Sequence, residues 1–309
     1  VILRTLCLCL QYHLWGSYQY QATAMPSSLS SSSSSPSLSS SSSSSAAAAV
    51  VLTSARYALR RYLAALSLPP GLLTSVLDNH RSCESQLWLL DNSSRMAVRD
   101  ACVGRRSSCT ASAKNVRRSE KVVPDTIERR DGVRRWDELG EFVTFHAHVA
   151  TEVWLPTQYF LVNRDSEKYK FAVCWGGRED AASDLDRLRK ALPAQSLAER
   201  ACPLAARLRS LANGIRREAP GLEANDQHIT VVVCTQGLPT NKEGRYTQEM
   251  QREFRRELQA LSELPVKIII RVCSDDEYVL DMFNSLDCRM GSVDVLDDFW
   301  GEVRAKKYT

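Results

Sequence analysis

Two uninterrupted apolar runs near the C-terminal end constrain this chain more than any other feature. Residues 229–235 read ITVVVCT and residues 266–273 read VKIIIRVC. Runs rich in β-branched residues, with no polar alternation, suit strands that are covered on both faces. Residues 246–263 between them carry a long helical pattern. A buried strand, a helix and a second buried strand predict a right-handed βαβ unit in a parallel sheet, because a parallel pair needs a crossover and the crossover helix covers a face. An earlier run, QLWLLD at 86–91, reads as a third buried strand, and 157–162 and 169–175 as shorter ones. Apolar spacing predicts helices over 137–153, 182–192, 203–218 and 275–286. Pro203 falls in a first turn, where a missing N–H costs little. The predicted fold class is α/β: a doubly wound, mostly parallel sheet flanked by helices.

Composition sets the limits of that domain. Residues 27–45 are serine except for Leu29, Pro36 and Leu38. Such a tract has no apolar face with which to offset its ordering entropy, so 1–50 is expected to be a disordered, low-complexity segment. Residues 51–71 read as an amphipathic helical arm stopped by Pro69, Pro70 and Gly71. The folded domain is expected over 72–302, with a basic insertion at 97–135 and a short tail at 303–309. Between 105 and 135 there are ten Lys/Arg against four acids. With little aromatic interleaving, this reads as a solvated loop more readily than as a nucleic-acid patch. The chain's formal charge of +4 does not itself imply a nucleic-acid partner. No apolar run reaches the ~18 residues of a membrane span. The chain opens on Val1, which reads as a fragment or an over-extended start with Met25 a candidate true start, the alternative being a targeting segment; the end after Trp300, Gly301 and Glu302 reads as truncated or frameshifted.

The chemistry-bearing residues are sparse. The chain has ten cysteines and no C-x-x-C pair. Cys174, Cys234 and Cys273 lie in apolar runs expected to be central strands, where free cysteine behaves as a small hydrophobe. This composition points to a reducing, cytoplasmic setting without structural zinc. His146 and His148 are two apart on a helix, so they point apart and cannot share a metal; His146 is expected to be half-buried and hydrogen-bonded. Gly176 and Gly177 follow a strand without completing a phosphate-binding motif. Asp275, Asp276 and Glu277 are expected to cap a helix start rather than to hold a metal.

In a doubly wound sheet, ligands meet the carboxyl ends of the strands. The run at 86–90 leads into Asp91, Asn92, Ser93, Ser94, Arg95 and Met96, and the run at 229–235 leads into QGLPTN. The first loop resembles the D-x-S-x-S loop of von Willebrand factor type A-like domains. The second resembles that family's T-D-G-x-P-T, and Cys202, Pro203, Leu204 and Ala205 resemble its T-P-L-T. The resemblance extends from residue 86 to 302. It implies a site for one divalent cation, usually magnesium, whose open position takes a partner's carboxylate. Magnesium wants hard oxygen ligands in octahedral geometry.

Three of the five site positions depart from that pattern. Asp91 and Ser93 are retained, while Arg95, Cys202 and Gln236 replace the family's ligands. Thiol sulfur is a poor ligand for a hard ion. A guanidinium stays charged, and two unit charges ~4 Å apart at an effective dielectric near 20 interact by about 4 kcal/mol. Magnesium binding is therefore expected to be weak or lost, and no cofactor is expected otherwise. The expected function is a non-enzymatic protein-interaction domain with a degenerate metal site. Its partner is a protein, with an acidic group meeting the Asp91/Arg95 loop. Two readings of the loop follow: the site is dead and the domain is a scaffold, which is the expectation, or Arg95 replaces the ion, pairs with Asp91 and offers donors to the acidic partner. The alternative is a hydrolase or phosphotransfer enzyme that uses Asp91.

Overall fold

The computed structural model describes residues 81–99, 105–106, 127–128, 132–163, 170–175, 180–197, 199–274 and 276–296. The expectations for 1–50, 51–71, most of 97–135, Gly176, Gly177, Asp275 and the tail at 303–309 lie outside these residues. The elements run β1 (Cys83–Leu90), a single 3-10 turn (Ser94–Ala97), β2 (Arg105–Arg106), β3 (Ile127–Glu128), α1 (Arg135–Val153), β4 (Thr157–Leu161) and β5 (Lys170–Val173). They continue with α2 (Ala181–Ala191), α3 (Leu204–Ala224), β6 (His228–Thr235), α4 (Gln248–Ser262), β7 (Val266–Val272), α5 (Glu277–Asp287) and β8 (Val293–Leu296).

Six strands form one sheet in the order β5-β4-β1-β6-β7-β8, and β2 pairs with β3 separately. β1 is parallel to both β4 and β6, with Trp88 opposite Tyr159 on one side and Val232 on the other. β6 and β7 are parallel, as are β7 and β8. Only β5 runs antiparallel, at the edge beside β4. The three apolar runs are thus parallel neighbours, and the sheet is the mostly parallel α/β sheet that their composition predicts.

The absence of polar alternation has its cause in the two cores. Trp88, Leu90, Val232, Cys234 and Ile269 pack with α1 and α2 on one face. Leu87, Leu89, Val231, Val233, Ile268 and Ile270 pack with α3, α4 and α5 on the other. The crossover from β1 to β4 steps one way along the sheet, and those from β6 to β7 and β7 to β8 step the other way. Their helices lie on opposite faces, as a single crossover hand requires.

Four local readings need correction. The strand at 293–296 was not anticipated: VDVL is short, and Asp294 breaks the apolar run. The helix expected to stop at 218 continues to Ala224. Cys273 lies just past β7, and Cys174 just past the edge strand β5, so neither is inside a central strand. Cys174 takes φ 57°, a left-handed conformation that ends the extended run.

Candidate functional site

The strand order reverses between β1 and β6, and a crevice forms at the carboxyl ends of strands where such a reversal occurs. Asp91, Ser93, Gln236 and Gly237 all leave the sheet at this point. Asp91 is fully buried, and its N–H continues the β1–β6 ladder by donating to the Cys234 carbonyl at 2.9 Å. Ser94 N–H donates to the Glu199 carbonyl at 2.6 Å, which ties the β1 loop to the segment before α3. That segment is tied in turn to the β6 loop: Cys202 N–H donates to Thr240 Oγ1 at 2.7 Å, and Thr240 N–H to the Cys202 carbonyl at 3.0 Å. Three loops distant in sequence are thereby fixed around one carboxylate.

That carboxylate is occupied by protein donors. Oδ1 accepts from Ser93 N–H at 2.9 Å. Oδ2 accepts from the Thr235 hydroxyl at 3.0 Å and from Gln236 N–H at 3.4 Å. Three protein donors thus engage the carboxylate, one on Oδ1 and two on Oδ2. The Cys202 thiol lies beside it, 3.9 Å from Thr235 Oγ1. Burial first, and then the Asp91 charge, push the Cys202 thiol well above its ordinary range, so it stays neutral. Thr235, the threonine that opens the stretch resembling T-D-G-x-P-T, joins β6 to Asp91.

Arg95 is half-buried and does not extend into solvent. A Cβ placed on Gly237 would stand 2.6 Å from Arg95 Nη1 and 3.3 Å from its Cδ, so the side chain lies across the β6 loop. It is close enough to Cys202 to favour the ionised thiol, though burial outweighs this. The Arg95–Asp91 ion pair of the second reading is not formed: the guanidinium rests over Gly237 instead. Arg95 makes no ion pair or side-chain hydrogen bond with the described residues.

Four buried polar atoms at this end of the sheet also lack a hydrogen-bond partner: Asn92 Nδ2, Ser93 Oγ, Asn163 Nδ2 and Gln236 Oε1. Asn92 Oδ1 is used, accepting from Asn163 N–H at 3.0 Å. Magnesium fits this arrangement poorly. Two of the unmet atoms are amide nitrogens, both oxygens of the fully buried Asp91 already accept from protein donors, and a guanidinium lies across the β6 loop. Among the described residues no three His, Cys, Asp or Glu side chains are grouped so as to hold a metal ion.

The remaining candidates stand apart from the crevice. His146 meets Trp88, Phe142 and Phe145, whereas His148 feels Glu152 and Arg189. His146 is half-buried as expected, but its Nε2 is enclosed and unpartnered rather than hydrogen-bonded, because the neighbouring rings offer no acceptor. Asp276 caps α5, with Oδ1 accepting from Tyr278 N–H at 2.9 Å. The described cysteines are all free. No helix among the described residues is long and apolar enough to cross a membrane. No protein-family model and no curated protein matches this sequence.

Proposed function

We propose that this chain is a von Willebrand factor type A-like protein-interaction domain, non-enzymatic, whose metal site has degenerated. The observation that carries the reading is the gathering of Asp91, Ser93, Cys202 and Gln236 at the β1/β6 crevice. These are the positions that the motif resemblance assigns to one ion site, and they come from three loops far apart in sequence. The side chains present suit a closed hydrogen-bonded cluster better than an ion. A catalytic role for Asp91 is disfavoured by its full burial, since a nucleophile or general base needs a path to substrate. A protein partner, a cytoplasmic setting and the absence of nucleic-acid binding belong to this proposal. The free cysteines support the setting.

Magnesium provides the test. A ligand present at ~100 times its dissociation constant adds about 2.7 kcal/mol to folding, which moves a melting temperature by several degrees. No shift is expected with millimolar magnesium in the unmodified chain. A shift is expected in the triple variant Arg95→Ser, Cys202→Thr, Gln236→Asp. A magnesium-dependent shift in the parent that Asp91→Ala abolishes would refute the degenerate site. Phosphoester turnover lost in Asp91→Asn would refute the non-enzymatic reading.

A further inference from the structure

Tyr278 is 60% exposed, a large aromatic side chain on the first turn of α5. In the sequence it stands directly behind Asp275, Asp276 and Glu277. Its N–H donates to Asp276 Oδ1 at 2.9 Å, so Asp276 also caps the helix. The Tyr278 hydroxyl lies 3.3 Å from that of Tyr246, and the two rings meet edge-on with centroids 6.4 Å apart. Tyr246 is half-buried just ahead of α4. Burial first, and then the Tyr278 hydroxyl, push its pKa up to about 12, so it stays a neutral donor. Arg255 on α4 completes the groove between α4 and α5. It is half-buried, it donates from Nη2 to Ser285 Oγ on α5 at 3.4 Å, and its charge reaches Tyr246. Its Nε–H is enclosed without a hydrogen-bond partner. Glu249 on α4 and Asp281 on α5 are exposed acids of the same two helices, and neither pairs with it.

An enclosed guanidinium hydrogen left unmet destabilises the groove, and an anion with strong acceptor oxygens would relieve it. A phosphoryl group carried by Tyr278 itself fits both halves of this arrangement. We propose that Tyr278 is a phosphorylation site, and that its phosphate is received by Arg255 and the Tyr246 hydroxyl, tying α5 to α4. An acidic run ahead of a tyrosine is the charge pattern that a kinase with a basic substrate groove selects. The first turn of a helix lacks intrahelical partners for its N–H groups and opens at low cost, which lets this segment extend into such a groove. In the transfer, the bond from the γ-phosphorus of a nucleoside triphosphate to its β,γ-bridging oxygen breaks, and a bond from that phosphorus to Tyr278 Oη forms. The phenolic proton passes to the kinase's base, and the nucleoside diphosphate leaves. The product carries about −1.5 to −2 charges near neutral pH and three acceptor oxygens. Asp276, Glu277 and Asp281 repel it, but they are exposed and screened by salt, whereas half-buried Arg255 is screened less. Nothing here depends on what the β1/β6 crevice binds.

The test incubates the full chain with magnesium ATP and a purified tyrosine kinase domain whose peptide groove is basic, and quantifies phosphopeptides by mass spectrometry. Tyr278 is expected to be modified, and Tyr246, which follows Gly244 and Arg245 rather than acids, is expected not to be. The variant Asp275→Asn, Asp276→Asn, Glu277→Gln keeps an asparagine cap on α5 and should be modified several-fold more slowly at Tyr278. Phosphorylation should raise the melting temperature of the parent by about 2–4 °C. Tyr278→Phe treated in the same way should show no rise, which excludes other tyrosines as its source. The rise should vanish in Arg255→Gln, return in part in Arg255→Lys and shrink in Tyr246→Phe. Tyr246→Phe leaves the guanidinium in place, so it decides the matter if Arg255→Gln perturbs the groove. The proposal is overturned if Tyr278 stays unmodified, or if neutralising the three acids leaves its rate unchanged. It is equally overturned if phosphorylation fails to raise the melting temperature, or raises it alike in the parent, Arg255→Gln and Tyr246→Phe.

Discussion

His146 packs its ring 4.4 Å from Phe142 and 5.1 Å from Trp88, centroid to centroid, and Arg271 lies 3.8 Å over the Phe142 ring. Burial first, and the Arg271 charge second, hold its pKa down to about 3 from an ordinary 6.5. The direction fixes the pH window. Above about pH 6.5 both folded and unfolded chains carry a neutral imidazole, and the residue is silent. Below it the unfolded chain takes up a proton that the folded chain refuses, so stability falls as pH drops from 6.5 toward 3. The slope from one such group approaches about 1.4 kcal/mol per pH unit. His146→Phe keeps a ring at the site and removes the proton. Its urea-unfolding free energy should therefore lose less than the parent's between about pH 7 and 5. Parallel curves for the two proteins would refute the assignment.

Helix α3 shows what packing does to local propensity. Gly214, Pro220 and Gly221 all fall within it, and each is a weak or negative helix former. Its buried residues Leu204, Leu208, Ala212, Ile215, Ala219 and Leu222 nonetheless recur at helical spacing to the last turn. Burial of that face against α4 and the sheet outweighs the breakers, and exposed Pro220 leaves its unpaired backbone carbonyl partner on the solvent side. A Cβ at Gly214 or Gly221 meets nothing within 4 Å. Gly214→Ala and Gly221→Ala should each stabilise the fold by about 0.5–1 kcal/mol, chiefly by restricting the unfolded chain. Urea midpoints would show this; a decrease in either variant would mean that the helix needs its glycines for a reason beyond propensity.

At the scale of the whole molecule, a buried ion pair joins α1 to β7, the strand next to the β8 edge. Arg271 on β7 donates to Glu138 Oε1 at 2.9 Å, and both side chains are nearly inaccessible. Arg135 on the same helix turn donates to the Cys273 carbonyl at the end of β7. Removing one member of a buried pair typically costs about 3–5 kcal/mol, because the other charge remains in a poorly polarisable surrounding. Glu138→Gln should therefore consume a large share of a domain stability of about 5–15 kcal/mol and shift the whole unfolding transition with an unchanged denaturant slope. Glu138→Leu combined with Arg271→Met should recover much of that loss. A cost below about 1 kcal/mol for Glu138→Gln would show the pair to be well solvated.

The sequence by itself determined the elements whose signal is local. The runs at 86–91, 229–235 and 266–273 were legible as buried strands because burial on both faces leaves no room for polar residues. The helices between them were legible because one face must be apolar. The resemblance of the D-N-S loop to a known ion-site motif was likewise visible in residue types, and so was the loss of charge at Gln236. The tertiary structure decided what depends on distance. It put the reversal of strand order between β1 and β6, turned β5 antiparallel, and added β8, whose four residues pair only because β7 offers a free edge. It brought Thr235 to Asp91 across 144 positions of chain, and it laid Arg95 over Gly237 rather than against the carboxylate. Hydrogen bonding of this kind is a property of what surrounds a group in space, and periodicity along a chain carries no record of it.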